Sequence, residues 1–432
     1  LRFVLPCIGT MLFTSIYGIV DGLCVSNFVG KTAFAAVNLI MPLPMLLGTI
    51  GFMLGTGGSA IVGITLGEGD QKKADRYFTL FLLAALVSVS VLAVLGIVFL
   101  RPIAVLLGAK GELLDYAVRY GRILMVSLPT FALQNMFQSF FVTAEKPHLG
   151  FWFTVGAGCT NMVLDVLMVG IWGWGVEGAA IATFISQLVG GVLPVFYFID
   201  RSNTSRLHLC KTSFYSKVLR DACINGSSEL MTNLSMSLVN ILYNYQLLRL
   251  AGENGVAAYG VIMYAAFLFV AVFVGYAVGS APIVSFHYGA RNHAEVHNLY
   301  RKSLRLIAVV AVTLTLASMF IIPCVARIFV GYDAELLALT SRAFRLYALS
   351  FLIMGFNVYA SSFFTALGDG VTSALISFLR TLAFQVIAIL LLPLLLGIDG
   401  IWLAVTAAEL AALAVSAAML LTKDKVFHYR KA

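Results

Sequence analysis

Residues 77–100 read YFTLFLLAALVSVSVLAVLGIVFL and contain no charged side chain. A helix needs about 20 mostly apolar residues to cross a bilayer, so this stretch is long enough to be one membrane span. The rest of the chain has the same character: 60% of its 432 residues are hydrophobic, 11% are charged, and the mean hydropathy is +0.96. Soluble proteins have about 45–50% apolar and about 25% charged residues. The composition therefore excludes a soluble protein and large extramembrane domains.

Eleven more apolar runs accompany this one, and a polar stretch at 200–220 divides the twelve into two sets of six. We number them spans 1 to 12. They cover residues 3–28, 34–66, 77–100, 116–142, 151–171, 178–199, 222–248, 256–286, 304–326, 344–367, 371–396 and 401–421. We expect helices, because an open sheet cannot satisfy its backbone in lipid and the runs lack the alternation of a membrane barrel.

The two sets of spans repeat one another. Four small or apolar pairs recur 222 residues later, Ala35 and Ile40 as Ala257 and Ile262, and Gly57 and Gly67 as Gly279 and Gly289. Because each set has an even number of spans, both halves have the same orientation and are related by an axis along the membrane normal. The sequence thus predicts an all-α membrane protein with twelve transmembrane helices in two six-helix lobes related by pseudo-twofold symmetry. The predicted parts are an N-terminal lobe at 1–199, a cytoplasmic linker at 200–220, a C-terminal lobe at 221–421 and a cytoplasmic tail at 422–432.

Basic residues give the orientation. The net charge is +8, and most of the 28 Lys and Arg residues lie between spans on the side that holds both termini. Cytoplasmic loops carry such an excess, so we predict a multi-pass protein of the cell membrane with both termini in the cytoplasm. The positive charge orients the chain, and we expect no nucleic-acid partner.

Apart from arginines near the span ends, five charged residues lie inside the spans, where an ionisable group costs roughly 2.5–3.5 kcal/mol and usually marks a pathway or coupling site. They are Asp21, Asp165, Glu229, Arg380 and Glu409. Asn161 precedes Asp165 by four residues, which places both on one helix face.

A candidate cation-coupling site follows from these positions in the first lobe. Its residues are Asp21 of span 1, Asn161 and Asp165 of span 5, Thr183 of span 6, and Asn135 and Gln138 of span 4. Two carboxylates in a poorly solvated pocket can exchange a proton at physiological pH, whereas oxygen ligands also suit sodium. The alternative is that these polar residues only join helices by hydrogen bonds.

A second group of polar residues could line a substrate cavity or act in gating. It comprises Gln134, Glu229, Asn240, Tyr243, Asn357, Tyr359 and Arg380. Each has a plainer explanation: Glu229 suits the start of a helix, Arg380 could pair with a carboxylate or reach the interface, and the aromatic residues could pack in the core. The sequence shows no phosphate loop, no metal-ligand spacing and no catalytic constellation, so we predict that the protein is not an enzyme, has no cofactor and holds no metal beyond sodium at Asp21, Asn161, Asp165 and Thr183.

The order of several motifs resembles the multidrug and toxic compound extrusion (MATE) transporters over essentially the whole chain. The motifs are Val20-Asp21-Gly22, Leu39-Ile40-Met41-Pro42, Gly57-Gly58-Ser59, Leu66-Gly67-Glu68-Gly69 and the pair Asn161 and Asp165. Three further stretches are most similar to the MepA-like bacterial group: Asn244-Tyr245-Gln246, residues 255–261 and residues 287–290.

The resemblance implies an antiporter that exports lipophilic or cationic small molecules by alternating access, driven by inward proton or sodium flux. In members with an N-terminal cation site, the matching positions are Asp21, Asn161, Asp165 and Thr183, with Asn135 and Gln138 beside them. Members of another branch of the family carry an acid in span 10. Span 10 of this chain has none. We expect a monomer in the lipid bilayer. The alternatives are a flippase for a lipid-linked precursor of the same superfamily and a membrane-embedded lipid-modifying enzyme, both less favoured.

Overall fold

A computed structural model describes residues 2–29, 31–331 and 333–429. Within these ranges the regular structure is helical, as the sequence predicts. The helices are Val4–Phe28 (α1), Lys31–Ile40 (α2), Pro42–Gly67 (α3), Gln71–Leu106 (α4), Gly111–Thr143 (α5), Pro147–Asp165 (α6), Gly175–Gly191 (α7), Leu193–Ile199 (α8), Ser216–Asn225 (α9), Ser227–Gly289 (α10), His293–Val330 (α11), Ala334–Ala348 (α12), Phe351–Ala366 (α13), Gly370–Phe378 (α14), Phe384–Leu396 (α15), Ile398–Thr422 (α16) and Asp424–Phe427 (α17). Two π-helical turns, Val166–Ile171 and Leu379–Ala383, follow α6 and α14.

The predicted spans coincide with these helices, although several spans are broken. By length and composition, eight described helices can cross a membrane, or nine if the pair α12 and α13, bent by 46°, is one span. The 63-residue helix α10 contains spans 7 and 8, which meet at Gly252 with φ 62° and ψ −151°. Glycine adopts this conformation without steric cost, so the chain reverses there. Span 2 is divided at Met41, and Pro42 opens α3 in the first turn, where its missing N–H costs nothing.

The repeat extends to the helix starts. Asp70 Oδ1 accepts a 3.0 Å hydrogen bond from the N–H of Lys73 at the start of α4. Asn292 Oδ1 accepts an equivalent 3.1 Å bond from Glu295 at the start of α11. Such N-caps stabilise a helix by about 1 kcal/mol. The third span of each lobe therefore begins with the same device.

Glycines bring the two lobes into contact at the end of the bundle where α1 begins and α16 ends, which we call the terminal end. A Cβ at Gly67 of α3 would overlap the backbone of Phe286 in α10, and one at Gly289 would overlap the backbone of Ile64. Gly226 lies in the same way against Met53, near the middle of α3. Only residues without a side chain permit these contacts, so the lobes are closed against each other at the terminal end.

The linker between the lobes packs against this end. Arg206 Nε lies 3.0 Å from Glu145 Oε1, in the loop between α5 and α6. The Arg206 guanidinium also lies 5.3 Å from the ring centre of Phe286, near the end of α10. Asp75 of α4 accepts a 3.0 Å hydrogen bond from the backbone N–H of His208. The linker thus contacts both lobes where they meet.

The C-terminal segment is held against the second lobe. Lys423 Nζ lies 2.8 Å from Asp369 Oδ2, in the loop before α14. Tyr429 is buried, and its hydroxyl donates a 2.7 Å hydrogen bond to the carbonyl of Leu420. His297 Nδ1 lies 3.0 Å from the carbonyl oxygen of Tyr429. The segment therefore fastens α16 to the loop before α14 and to α11.

This attachment should weaken in acid. Burial acts to raise the pKa of Asp369, but hydrogen bonds from Lys423 and Thr372 outweigh it, so the pKa lies below its ordinary value. A carboxyl with a lowered folded pKa stabilises the fold fully above its unfolded pKa of about 3.9 and loses that contribution as the pH falls through the folded value. Amide hydrogen exchange in residues 424–429 should therefore be slow at neutral pH and accelerate below about pH 4, after correction for intrinsic rates. Lys423→Ala should exchange fast already at neutral pH; protection that is equal in both proteins would contradict the prediction.

Candidate functional site

The first lobe positions the predicted cation site by close packing of α1 on α6. A Cβ at Gly158 would overlap the ring of Phe13 and approach Tyr17, so glycine lets the two helices meet. Further along the chain, Gly170 in the π-helical turn after α6 lies against the ring of Phe28 at the end of α1. The contacts occur in the same order in both helices, so α1 and α6 run in parallel and in register.

Position 21 of α1 therefore lies level with residues 161–165 of α6. The backbone of Asp21 is helical, but its side chain lies outside the described part of the structure, and its role stays a prediction. Asp165, the last residue of α6, is fully buried, and Asn161 is 2% exposed. A buried carboxylate is tolerated only with a proton, a cation or hydrogen-bond donors, which is the chemistry that a coupling site needs.

Helix α7 brings Thr183 to the same level. It runs antiparallel to α6, because Gly178 lies against Met168 while a Cβ at Gly156 would lie 3.8 Å from the side chain of Val189. Thr183 falls between these two contacts. Positions 21, 161, 165 and 183 thus share one depth in the first lobe, which is the arrangement that the sequence predicts for them.

Buried amides at this depth lack hydrogen-bond partners within the described residues. They include both side-chain polar atoms of Asn161 and the Oε1 atom of Gln187 on α7. Leaving a buried polar atom unpaired costs about 1–3 kcal/mol, so such atoms usually serve a ligand or water. Carbonyl and carboxylate oxygens suit sodium, and in the described chain no group of three His, Cys, Asp or Glu residues could bind another metal. The donor set fits a proton or a hard monovalent cation.

The amides of α5 lie elsewhere. Gly150, in the first turn of α6, lies against Phe141 of antiparallel α5. Counting from that contact, Asn135 is roughly two and a half helical turns closer to the terminal end than Asp165. Gln138 lines a small cleft between the lobes with Thr10 and Val278. Gln134 packs against Gly190. The structure therefore separates these three amides from Asp165, because they lie in the half of α5 that is nearer the terminal end.

The second lobe contains a buried ion pair between its last two spans. Arg380 Nε lies 3.7 Å from Glu409 Oε1, and the side chains are 15% and 1% exposed. Asn357 Nδ2 donates hydrogen bonds to Glu409 Oε2 at 2.7 Å and to its carbonyl at 2.9 Å. Ser416 in turn donates to Asn357 Oδ1 at 2.9 Å, which fixes the amide with its NH₂ group toward Glu409. Asn357 is thus a fixed hydrogen-bond donor to the Glu409 carboxyl.

A polar cavity of about 110 Å³ lies between the lobes beside this pair. Glu229 and Arg380 line it from the second lobe. Its hydroxyl lining comes from both lobes, and includes Thr56, Ser59, Ser139, Ser361 and Ser377. This is the place where two residues of the predicted cavity group, Glu229 and Arg380, come together.

The other members of that group lie apart from this cavity. Tyr243 is 2% exposed and stacks on Tyr259 with ring centres 4.9 Å apart. Tyr359 is also buried, with its ring 5.6 Å from that of Phe363. Both tyrosines belong to apolar core clusters of the second lobe. Asn240 is exposed on α10. Aromatic packing therefore accounts for the tyrosines, as the plainer interpretation has it.

Both π-helical turns of the described chain adjoin charged residues. One begins directly after Asp165, and the other contains Arg380. Each lies in the fifth span of its lobe. A π-turn inserts an extra residue into the helix, and such turns occur often at functional sites because they redirect a side chain. Sequence periodicity gives no signal for them.

The ion pair in the second lobe should be strongly coupled. Removing one partner of a buried pair costs about 3–5 kcal/mol, because it leaves the other charge uncompensated. Arg380→Gln and Glu409→Gln should each lower stability by about this amount, whereas the double variant should lose less than the sum. Thermal unfolding of the four proteins in detergent gives the coupling free energy. Additive losses would mean that the two charges do not interact.

Comparison with known proteins agrees with this architecture. The MatE family profile matches residues 6–167 and again residues 230–391, once in each lobe. The chain belongs to the MatE family. The two matches are offset by almost the same number of residues as the internal repeat, which confirms the repeat and the two six-helix lobes. The family consists of membrane transporters, which agrees with the prediction that the protein is not an enzyme.

Several curated and solved MatE members resemble it along their whole length. It is 21% identical to the multidrug export protein MepA of Staphylococcus saprophyticus, covering 99% of this chain and 94% of that one. Identity and coverage are the same for MepA of Staphylococcus aureus. A crystal structure of MATE in complex with MaL6 superposes with a TM-score of 0.93 at 23% identity, covering 100% of this chain and 96% of that one. An outward-facing multidrug resistance MATE transporter gives the same values. These confirm the predicted resemblance to the MepA-like group and the fold.

Proposed function

We propose that this MatE transporter is an antiporter that exports lipophilic or cationic small molecules in exchange for inward-moving protons or sodium ions. The observation that carries the proposal is the fully buried Asp165 beside Asn161, whose amide has no hydrogen-bond partner among the described residues. A carboxylate in this setting gains strongly from binding a proton or cation. The names of the Staphylococcus relatives support multidrug export.

The closed terminal end supports alternating access. The positive-inside rule assigns this end to the cytoplasm, so the observed arrangement corresponds to a transporter closed on the inside. Binding at position 21 and Asp165 would change how α1 packs on α6, and the resulting strain would bias the lobes between two arrangements. A ligand shifts such an equilibrium only by its difference in affinity for the two states. A single polypeptide in the cell membrane, with both termini inside, suffices for this cycle.

The ion-pair geometry argues against the flippase alternative. A carrier of anionic headgroups needs uncompensated positive charge in its cavity. Arg380 is the arginine that lines the cavity between the lobes, and Glu409 and Glu229 already face it. The cavity is therefore not cationic, which suits a neutral or positively charged substrate.

Purified protein in liposomes tests the proposal. Transport of ethidium is measured while a proton gradient and a sodium gradient are imposed separately. We expect one gradient to drive ethidium against its own concentration difference and the other to have little effect. Transport that ignores both gradients would refute antiport, and the gradient that works identifies the coupling ion.

A further inference from the structure

The linker carries an exposed aromatic side chain among basic residues. Phe214 is 75% exposed. Lys211, Lys217 and Arg220 lie on either side of it in the sequence, and all three are exposed. The positive-inside rule accounts for basic residues anywhere in this loop, but it does not account for an exposed phenylalanine between them. Cations combined with an exposed aromatic ring are typical of a segment that lies in the headgroup region of a membrane.

Contacts with α4 place this segment at the boundary of the membrane. Thr212 Oγ1 donates a 2.8 Å hydrogen bond to the carbonyl of Arg76. The ring centre of Tyr215 lies 5.5 Å from that of Tyr77, the first residue of span 3. Phe214 lies between these two contacts in the sequence, so it lies where the hydrocarbon region begins. Lipid is therefore the neighbour that its exposed ring meets.

Contacts with both lobes fix the opposite face of α9. A Cβ at Gly57 of α3 would overlap the carbonyl of Ala222. Asn225 is buried, and its Nδ2 donates a 2.8 Å hydrogen bond to the carbonyl of Thr365 in the last turn of α13. The helix therefore cannot turn its outer face inward while the lobes are closed.

This outer face of α9 remains exposed. Lys217, Arg220 and Ile224 lie on it, because they recur at intervals of three and four residues, and all three are exposed. Ile224 lies about two helical turns further into the membrane than Lys217. The face thus has cations at the headgroup level and an apolar side chain deeper in the bilayer, which is the order of groups in a phospholipid.

Three of the cations are available to an anion. Within the described residues, Lys211, Lys217 and the neighbouring Arg76 of α4 are exposed and form no salt bridge. Asp221 Oδ1 lies 3.6 Å from Arg220 Nη2 and offsets that charge. Each basic residue close to an anionic membrane surface strengthens binding about fivefold. The charge of this surface therefore suits the phosphate of an anionic headgroup.

We propose that residues 211–224 bind an anionic phospholipid in the leaflet at the terminal end, which the positive-inside rule assigns to the cytoplasm. The basic side chains contact the headgroup, and Phe214 and Ile224 contact the acyl chains. A free phosphate ester offers the same anion, but it has nothing to place against these two apolar side chains. The inference goes beyond the proposed antiport, because it concerns the lipid that the transporter holds and is independent of the ion that drives transport.

Native mass spectrometry of the detergent-purified protein tests the headgroup contact, with phosphatidylglycerol and phosphatidylcholine of equal acyl chains added in equal amounts. We expect the wild type to retain mainly phosphatidylglycerol. Lys211→Gln with Lys217→Gln should lower this preference at least about tenfold. The matched control is Arg301→Gln with Lys302→Gln, which removes two exposed cations of α11 and should leave the preference unchanged. A wild type without a preference, or two double variants that behave alike, would overturn the proposal.

A competition measurement separates the lipid from a free phosphate ester. Glycerophosphoglycerol has the headgroup of phosphatidylglycerol but no acyl chains. At the same concentration as the lipid it should leave the bound phosphatidylglycerol in place. Displacement would identify a soluble phosphate ester as the ligand and would overturn the assignment to lipid.

Quenching by brominated lipid tests the depth of Phe214. In a cysteine-free protein, an environment-sensitive fluorophore is attached after Phe214→Cys or after Thr204→Cys. Thr204 is an exposed residue of the same linker, and its hydroxyl accepts a 2.8 Å hydrogen bond from Lys146 in the loop between α5 and α6. Brominated lipid should quench the label at position 214 several-fold more than the label at position 204. Equal quenching would show that Phe214 lies outside the lipid and would overturn the proposal.

Discussion

Asp165→Asn should reduce ion-driven efflux by at least about tenfold while leaving the protein folded. Asparagine has nearly the same shape, but it carries no negative charge and accepts no proton near neutral pH. Losing about 1.4 kcal/mol of coupling free energy is enough for a tenfold effect, and a buried carboxylate with its cation contributes more. The measurement is ethidium efflux from proteoliposomes under the gradient that drives the wild type.

The matched control is Asp115→Asn, which changes an exposed carboxylate on α5. It should transport like the wild type, and Asp21→Asn should behave like Asp165→Asn. Undiminished ion-driven efflux by Asp165→Asn would show that Asp165 is not part of the coupling site. The thermal unfolding of all three variants shows whether a loss of transport reflects chemistry or folding.

Gly67→Leu should abolish closure of the terminal end and lower efflux by at least about tenfold. Even a Cβ at this position would overlap the backbone of Phe286, and backbone cannot move aside as a side chain can. The lobes must therefore separate. Cys223 of α9 is half-buried next to Ala222, which lies against Gly57 at the same interface. In a protein whose only cysteine is Cys223, a membrane-impermeant thiol reagent should label it faster once Gly67 is replaced.

Gly260→Leu provides the control for this substitution. Gly260 also lies in a helix, α10, but a Cβ there would meet nothing within 4 Å. It should leave the labelling of Cys223 and the efflux rate close to those of the wild type. If Gly67→Leu transports normally and Cys223 remains protected, the lobes do not close through this contact.

The apolar runs predicted the architecture because membrane spans are local features of sequence. The run at 77–100 became part of α4, and the glycines matched across the repeat, Gly67 and Gly289, proved to meet the opposite lobe. The turn at Gly252 and the division of span 2 before Pro42 were harder to place, because both lie inside or beside apolar stretches.

The site was partly predictable for the same reason. Asn161 and Asp165 share a helix face, so their spacing already grouped them. The depth of Gln138 depends on how α5 slides along α6, which no local pattern records. The pairing of Arg380 with Glu409, and the amide of Asn357 between Glu409 and Ser416, join residues far apart in the chain. Their partners became visible only in the folded structure.

Exchange of substrate for ions is measured most directly by counterflow. Liposomes with a pH indicator or a sodium indicator inside start with no ion gradient, and an ethidium gradient is imposed. We expect ethidium moving down its gradient to drive protons or sodium ions in the opposite direction, and we expect Asp165→Asn to eliminate the ion movement. Ethidium transport without any counterflow, or counterflow that persists undiminished in Asp165→Asn, would contradict it.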